Sequence, residues 1–349
     1  MTTQKHIPTL GVLYINPAKG CNLHCKHCWV NEGSFSGEPL SLELWKELLL
    51  QAKKLGCSYV KLTGGEPLLS KDIVPLYAFT AETFPRVSVE TNGILQPDGL
   101  WETFRGKKPY HVSVSLDSAD PKKHDDFRGQ AGAWKKTVDF TEKLVKNGIS
   151  NQVIMSVSDT ERKPVEDMVR LVKKVRAHTL KINFIIPAGR GKDNSFYDHS
   201  SIGDILDFFN WIDRETPRWV LPSVPAALLP VNRLSALGYC PVRNLMGVLP
   251  DGTFSLCGIA FSKEEMAWGR FPETSVQEAW ENSPVYRVIR ESVPDNLTGV
   301  CRLCIHRDSC TGGCVVNNME TGGALTSPDI LCQKAYESGL FPETRLIQR

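Results

Sequence analysis

Short apolar runs and longer amphipathic stretches alternate along the first two-thirds of the chain. The short runs are rich in β-branched and aromatic residues, as buried strands are. Between them, apolar residues recur every three or four positions, as on one face of a helix. Leu44, Leu48 and Ala52 form such a stripe, which Ser41 can cap and Gly56 can end. The pattern predicts six strands, over residues 12–16, 59–63, 87–90, 112–116, 152–157 and 180–186.

Six strands that alternate with helices indicate one parallel sheet with right-handed crossovers. Two further helical stripes, at residues 134–145 and 166–176, fall between the later strands. Because only six such units are present, we expect an α/β fold of the partial (β/α)6 TIM-like barrel type and not a closed eight-fold barrel. Several predicted strands end in polar, Gly-rich turns, which is where α/β folds place their ligands.

The pattern changes after a helix expected at residues 201–214. Residues 219–232 contain Pro222, Pro225 and Pro230 and so cannot form a regular helix or a central strand. Beyond them the runs are short and hairpin-like, with a turn at Asp251-Gly252. Helices are expected at 277–280 and 284–290, and residues 301–332 are expected to be loop-rich and ordered by bound metal. We therefore expect a domain at residues 1–218, a linker at 219–237 and a second domain at 238–349.

The length and the net charge of the chain limit the classes of protein to which it can belong. The chain has 349 residues, enough for about two domains. Lys+Arg 41 against Asp+Glu 39 leaves a net charge of +2, so no overall field draws the chain to nucleic acid or to an anionic membrane. The first residues contain no apolar signal segment, and no stretch reaches the roughly 18–20 apolar residues of a membrane span. We expect a cytoplasmic protein that binds neither nucleic acid nor membrane.

The 11 cysteines are distributed in two clusters. Three lie near the start and seven in the last third, while Cys57 stands apart and is expected to be a buried structural thiol. An odd number of cysteines without a secretion signal favours metal binding over disulfides. Two clusters therefore indicate two metal-binding regions.

The first cluster is Cys21-Asn-Leu-His-Cys25-Lys-His-Cys28, directly after the first predicted strand. One loop with this spacing can wrap three thiolates around one inorganic core. With no fourth cysteine nearby, a tetrahedral structural zinc would lack a ligand, whereas a four-iron cluster held by three thiolates keeps one iron open. A three-cysteine zinc site and unrelated free thiols are the alternatives. His24 and His27 are expected to shield a cluster by packing and not to bind it.

Polar groups follow the next three strands. Thr63-Gly-Gly-Glu-Pro67 ends the second, and its glycines allow the backbone to approach a ligand closely. Glu66 offers an acceptor for an ammonium group. The third strand ends at residues 90–93 and the fourth at residues 113–118, which together supply hydroxyl, amide and carboxylate groups suited to a ribose and an amino acid.

Residues 12–190 resemble a radical S-adenosylmethionine (SAM) enzyme, because the Cys-x3-Cys-x2-Cys loop, Gly-Gly-Glu-Pro and Ser-Leu-Asp follow in that family's order. The resemblance implies that Cys21, Cys25 and Cys28 hold a [4Fe–4S] cluster whose open iron binds the amino and carboxylate groups of SAM. It also implies the contacts to SAM. The expected SAM contacts are Gly64, Gly65, Glu66, Thr91, Asn92, Ser115, Asp117, Arg128 for the SAM carboxylate, and Ser156, with Ser158 a further candidate.

The seven C-terminal cysteines resemble the SPASM extension of peptide-modifying radical SAM enzymes, with spacing Cys240-x11-Gly252-x4-Cys257 followed by a group at 301–332. A zinc ribbon is the alternative, although seven thiolates do not divide into four-coordinate sites. The resemblance implies two auxiliary [4Fe–4S] clusters, and hence three clusters in all. The first auxiliary cluster would use Cys240, Cys257 and Cys314, and the second Cys301, Cys304, Cys310 and Cys332.

One departure concerns the first auxiliary cluster. Some relatives supply an eighth cysteine shortly before the first of the seven, and residues 231–239 contain none. This cluster would therefore have an open iron or a ligand that is not cysteine. An open iron could bind substrate, whereas a fully ligated cluster would only pass electrons or tune the site.

The resemblance implies reductive cleavage of SAM to a 5′-deoxyadenosyl radical and oxidative modification of a peptide or protein side chain, such as a cross-link in a ribosomally made peptide. The sequence identifies no catalytic acid or base. Maturation of a sulfatase to formylglycine is an alternative, although that group has an Asp where Gly258 lies here. Biosynthesis of a small cofactor of the haem or quinone type is another, and a non-enzymatic iron–sulfur electron carrier is a third.

The same resemblance implies the partners. Besides the peptide or protein substrate, we expect an external electron donor of the flavodoxin or ferredoxin type. Only about 20 residues precede Cys21, so no leader-binding domain is expected there. Leader recognition, if the reaction needs it, would come from a separate leader-binding protein or from the SPASM region.

Overall fold

The computed structural model describes residues 7–30, 37–197, 200–230, 240–258, 260 and 264–348. Within these ranges ten strands form one sheet in the order β10-β9-β8-β1-β2-β3-β4-β5-β6-β7. The first six strands are consecutive neighbours, and all their pairings are parallel. They are β1 Val12–Ile15, β2 Tyr59–Leu62, β3 Arg86–Thr91, β4 His111–Ser115, β5 Asn151–Val157 and β6 Thr179–Phe184. The prediction of a partial barrel with six parallel strands is confirmed.

Helices alternate with these strands, as the apolar stripes in the sequence predict. Ser41 caps the first helix as expected, accepting a hydrogen bond from the Leu44 N–H at 3.3 Å. These helices are α1 Leu42–Lys54, α2 Ile73–Thr83, α3 Leu100–Gly106, α4 Pro121–Arg128, α5 Ala133–Lys146, α6 Arg162–Val175 and α7 Ile202–Glu215. No helix in these described ranges is both long and apolar enough to cross a membrane.

The two faces of the parallel strands differ in polarity. Leu13 of β1 and Val60 of β2 are fully buried in one apolar cluster with Leu48 of α1. The alternate residues of the same strands, Tyr14 and Lys61, are half-buried and pair in register on the opposite face. Because side chains alternate along a strand, the outer face packs on helices while the inner face of the partial barrel is polar.

Two pairings lie outside the sequence prediction. The prolines led us to expect a linker at 219–237, yet β7 Val220–Pro222 pairs in parallel with β6. It lies at the end of the sheet, where a proline is tolerated because its missing N–H faces no neighbouring strand. A short 3-10 turn follows at Ala226–Leu228, and residues 231–237 of that stretch lie outside the described residues. β8 Leu245–Val248 pairs in parallel with the other side of β1.

The C-terminal third begins with the predicted hairpin and continues with short helices. β8 and β9 Thr253–Ser255 pair antiparallel across the Asp251-Gly252 turn, and β10 Ala267–Arg270 pairs with β9. Residues 301–332, expected to be loop-rich, alternate loops with helices of four to eight residues, which are too short for an apolar period to register. The helices of the C-terminal third are α8 Val276–Asn282, α9 Pro284–Ser292, α10 Gly299–Leu303, α11 Arg307–Cys310, α12 Val315–Glu320 and α13 Ile330–Glu337.

Candidate active site

The loop with the first three cysteines lies at the carboxyl end of β1 and is fixed through its backbone. The His24 N–H donates to the Arg128 carbonyl at 3.2 Å, and the Lys26 N–H to the Phe127 carbonyl at 3.0 Å. From the other side, Arg190 donates its backbone N–H to the Cys28 carbonyl at 2.9 Å and its Nε to the Cys25 carbonyl at 2.8 Å. The loop is therefore held between the end of α4 and the turn after β6.

The two glycines after β2 are required by a close approach within the protein. A Cβ on Gly65 would lie 2.3 Å from the Gly20 carbonyl oxygen, directly before the cysteine loop. Gly64 has φ +116, and a Cβ there would lie 1.6 Å from Oδ1 of Asn16. Only glycine fits either position without movement. The sequence suggested close approach to a ligand, and the approach described here is to the end of β1.

Glu66 connects the turn after β2 with the end of β3. Its side chain is fully buried, and its carboxylate accepts from the Thr91 hydroxyl at 2.7 Å, the Asn92 N–H at 2.8 Å and the Leu68 N–H at 3.0 Å. Burial raises the pKa of Glu66 to about 7, although these hydrogen bonds act in the opposite direction. A carboxylate has about four acceptor positions, so one is left for a further donor.

Two side chains reach the thiols of the loop. Asn92 Nδ2 lies 3.8 Å from Cys21 Sγ and donates to Asn22 Oδ1 at 2.9 Å. Arg128 Nη1 lies 3.5 Å from Cys25 Sγ. Both are donors, and a donor next to sulfur favours the thiolate, which is the form that binds metal.

The Asp117 carboxylate and the Arg128 guanidinium form a buried ion pair. Arg128 Nε lies 2.5 Å from Asp117 Oδ2, and Asp117 Oδ1 accepts the Ser156 N–H at 2.9 Å. Burial alone would raise the pKa of Asp117, but the charges of Arg128 and of the two nearby histidines, together with the Ser156 N–H hydrogen bond, outweigh it and hold the pKa below its usual value. Ser115, at the end of β4, is half-buried. The predicted residues are thus gathered at the carboxyl ends of the strands, with Asp117 and Arg128 engaged with each other.

The four cysteines assigned to the second auxiliary cluster line a single cavity. Cys301 comes from α10 and Cys304 directly follows it, Cys310 comes from α11 and Cys332 from α13, and Asp329 also lines the cavity. Burial, and then the Asp329 charge, raise the pKa of Cys332 well above its usual value. Four thiols that converge on one space fit the donor set of an iron–sulfur cluster.

The other three C-terminal cysteines form a second group. Burial raises the pKa of Cys240 above its usual value, and the charges of Cys314 and Cys257 raise it further, which places the three thiols in one neighbourhood. The Tyr286 hydroxyl, near enough to Cys257 and Cys240 for their charges to act on it, is fully buried and has no hydrogen-bond partner among the described residues. Buried hydroxyls are normally partnered, so a cluster held by these thiols fits here as its acceptor.

These groups do not have the spacing of a single-ion site. Within the described ranges, no three His, Cys, Asp or Glu side chains are close enough together to hold one metal ion.

Several residues at the site have no counterpart in the sequence prediction. Arg190 holds the cysteine loop by two hydrogen bonds. His27 was expected to pack and not to bind metal, but its partner was not predicted: it stacks on Phe127 with ring centres 4.6 Å apart. Lys61 and Glu90 meet on the inner face of the sheet. A lysine inside a short apolar run, as at position 61, is a signal that could have identified this pair, since buried parallel strands are nearly all apolar.

Comparison with known proteins agrees with this geometry. Residues 15–172 match the Radical SAM superfamily, and residues 240–305 match SPASM, an iron–sulfur cluster-binding domain. The AdoMet-dependent heme synthase of Methanosarcina barkeri is 26% identical over 84% of this chain and 88% of its own length. The mycofactocin maturase MftC of Mycobacterium ulcerans is 26% identical over 93% of this chain and 88% of its own.

A solved structure shares the fold. SuiB of Streptococcus suis, bound to its precursor peptide SuiA, superposes with a TM-score of 0.74 at 18% identity, covering 94% of this chain and 77% of SuiB. Both matched domains are those of proteins that bind iron–sulfur clusters and SAM. The chain therefore belongs to the radical SAM superfamily of enzymes and carries a C-terminal SPASM domain.

Proposed function

We propose that this enzyme cleaves SAM reductively and uses the product to modify a side chain of a peptide oxidatively. When bound, a reduced cluster with SAM supplies a 5′-deoxyadenosyl radical that abstracts a hydrogen atom from the substrate. The observation that carries the proposal is the contact of Asn92 and Arg128 with the sulfurs of Cys21 and Cys25, which joins the end of β3 and the end of α4 to the loop after β1.

The roles of this chain's residues follow from their contacts. Cys21, Cys25 and Cys28 would hold the catalytic cluster, with Arg128 and Asn92 as donors to its thiolates. Gly65 lets the turn after β2 lie against Gly20, which places Glu66 and its partners beside the loop. The remaining acceptor position of Glu66 and the hydroxyl of half-buried Ser115 are suited to SAM, with Gly64, Thr91, Asp117 and Ser156 shaping the same surface.

The C-terminal domain would hold two further clusters, three in total. The cavity shared by Cys301, Cys304, Cys310 and Cys332 supports a fully ligated cluster, while Cys240, Cys257 and Cys314 supply three thiols to another. We keep the domain boundaries at 1–218, 219–237 and 238–349 as part of this proposal. β8 to β10 extend the sheet of the first domain, so the two domains share a rigid element.

A peptide substrate is supported by the relatives. MftC is named a maturase, and SuiB has been solved with its precursor peptide bound. The reaction would also need an external electron donor of the flavodoxin or ferredoxin type. A separate leader-binding protein, or the SPASM domain, would recognise the substrate's leader, and the cytoplasm is the compartment that suits thiolate-bound clusters.

The proposal is tested with protein purified and reconstituted without air. We expect about 12 iron atoms per chain for three four-iron clusters, and 5′-deoxyadenosine from SAM and dithionite. Cys25→Ala should lower the iron content to about 8 and abolish SAM cleavage. Cys57→Ala is the matched control, because Cys57 is buried beside β2 and its thiol lies 3.5 Å from the Tyr59 carbonyl oxygen. A zinc-only preparation, or SAM cleavage retained in Cys25→Ala, would refute it.

A small-cofactor substrate is the second candidate, because the M. barkeri heme synthase is as similar as MftC. The two candidate functions are distinguished by co-expressing the enzyme with candidate peptides encoded beside its gene and measuring the masses of the products. Loss of hydrogens from a peptide supports the maturase, and conversion of a tetrapyrrole precursor in its place supports the alternative.

A further inference from the structure

A group of charged side chains on the inner face of the sheet takes no part in the proposed cluster sites. Lys61 Nζ lies 3.7 Å from Glu90 Oε2, and the same oxygen accepts from the Thr63 hydroxyl at 3.0 Å. Lys61 also lies over the Tyr14 ring, 4.8 Å from its centre. Lys181 of β6 is close enough for its charge to interact with those of Lys61 and Glu90. Four strands therefore contribute to one polar cluster.

This cluster lies on the inner face of the partial barrel, where solvent can reach it. The side chains of Lys61 and Glu90 are 21% and 26% exposed. Yet burial is the largest single influence on the pKa of each, acting to lower it for Lys61 and to raise it for Glu90. Groups that are surrounded by protein and still reach solvent line an internal cleft. Such a cleft is where a fold of this type binds its substrate.

The cleft carries an excess of positive charge. Of the Lys61, Lys181 and Glu90 side chains, two are cationic and one is anionic, which gives these three side chains a net charge of +1. Lys181 makes no hydrogen bond or ion pair within the part of the chain that the structure describes, and burial together with the Lys61 charge lowers its pKa. An unpaired lysine in a partly desolvated cleft is costly unless an anion joins it. A ligand with one negative charge would balance the cluster.

The position of the cleft connects it with the proposed metal sites. Glu90 directly precedes Thr91 and Asn92, which contact Glu66 and Cys21. On the other side, Tyr14 and Lys181 both lie within range of the Cys240 charge. A group bound to the lysines would therefore lie between the cysteine loop and the first C-terminal cysteine group.

We propose that Lys61 and Lys181 bind a carboxylate of the peptide substrate and so hold it in the barrel between the two metal regions. This inference rests on the proposed function for the identity of the substrate, although the anion site itself does not depend on it. The carboxylate is either the C-terminus of the peptide or an acidic side chain, since both offer the same charged oxygens to an ammonium group.

The site is tested by measuring, with ligand-observed NMR, how tightly small probes bind to the reconstituted holoenzyme with SAM. The probes are N-acetylalanylphenylalanine and its C-terminal amide, and N-acetylglutamate α-amide and N-acetylglutamine amide. We expect the charged member of at least one pair to bind about tenfold more tightly than its neutral partner. The pair that shows the preference identifies the source of the carboxylate.

Variants give opposite expected effects, which separates the proposal from simple damage to the fold. Lys181→Met should remove the preference for the charged probe, whereas Glu90→Gln should strengthen it several-fold because the net charge of the cleft rises to +2. Lys173→Met, the same change on the exposed face of α6, should leave it unaltered. Equal binding of charged and neutral probes, or a preference retained in Lys181→Met, overturns the proposal. Failure of SAM cleavage by the unmodified enzyme would instead overturn the proposed function.

Discussion

Arg128 connects the Asp117 carboxylate with the Cys25 thiol: its Nε lies 2.5 Å from Asp117 Oδ2 and its Nη1 3.5 Å from Cys25 Sγ. One side chain thereby joins the end of β4 to the loop after β1. Both partners are buried, so the pair is poorly screened by solvent and either residue alone would be a costly buried charge.

Replacing the Arg128 guanidinium should therefore lower the stability of the folded protein. Arg128→Met leaves Asp117 buried without its partner, and we expect a loss of about 3–5 kcal/mol of stability, measured as a lower thermal midpoint of the anaerobic holoenzyme. Arg105→Met is the control, because Arg105 pairs with Glu102 at 2.9 Å on the surface. Its loss should leave the thermal midpoint nearly unchanged, because the pair is screened by solvent. Equal effects of the two changes would contradict a structural role for the buried pair.

Glycine at position 65 is required by the contact with the cysteine loop. In Gly65→Ala the new methyl group would lie 2.3 Å from the Gly20 carbonyl oxygen, so the backbone must move. We expect iron content to fall from about 12 to about 8 atoms per chain and SAM cleavage to be lost. In Gly20→Ala the methyl group would meet nothing within 4 Å, and this variant should keep its iron. Full iron in Gly65→Ala would show that the close approach is not needed.

Glu66 should make stability depend on pH near neutrality. Burial raises its pKa to about 7, above the ordinary value of 4.5. The folded protein then binds this proton more tightly than the unfolded chain. Its contribution to stability is fully present below about pH 4.5 and is lost as pH rises through 7.

The measurement is the stability of the holoenzyme between pH 6 and pH 8. We expect the unmodified protein to lose about 1 kcal/mol over this range from Glu66 alone. Glu66→Gln cannot ionise and should lack this part of the slope, whatever its absolute stability. Parallel pH profiles for the two proteins would contradict a raised pKa at this position.

The Tyr286 hydroxyl should act on the first auxiliary cluster. Tyr286→Phe removes one hydrogen-bond donor from a buried site near Cys257 and Cys240, and hydrogen bonds to such clusters raise the reduction potential. Taking one hydrogen bond as about 1 kcal/mol, we expect one cluster to shift negative by on the order of 40 mV in a redox titration followed by EPR. Tyr77→Phe, whose hydroxyl bonds to the Lys107 carbonyl, should shift none.

Local patterns were sufficient to predict the parallel strands and the position of the cysteine loop. Each of the six strands was expected within a few residues of its place, because β-branched runs and helical stripes alternate clearly in this half of the chain. Ser41 was expected as a cap for the same kind of reason, since a capping hydroxyl acts over only three residues.

Contacts between residues that are distant in the sequence could not be predicted from local patterns. The hydrogen bonds of Glu66 to Thr91 and Asn92 span 25 and 26 residues, so the carboxylate that was expected to bind a ligand also links two strands. Arg128 and Asp117 were each expected to contact SAM separately, although their opposite charges bring them together. The strand β7 was missed because the rule that excludes proline from sheets does not apply at an edge.

The parallel pairing of β8 with β1 has a consequence for biosynthesis. The strand that leads into the catalytic loop acquires its second neighbour only from residues 245–248, more than 230 positions later. A nascent chain on the ribosome thus exposes an unsatisfied edge next to reactive thiols until most of the polypeptide has emerged. Insertion of iron would have to wait for that closure, so a truncated gene encoding the first domain by itself should yield aggregates in place of a smaller working enzyme.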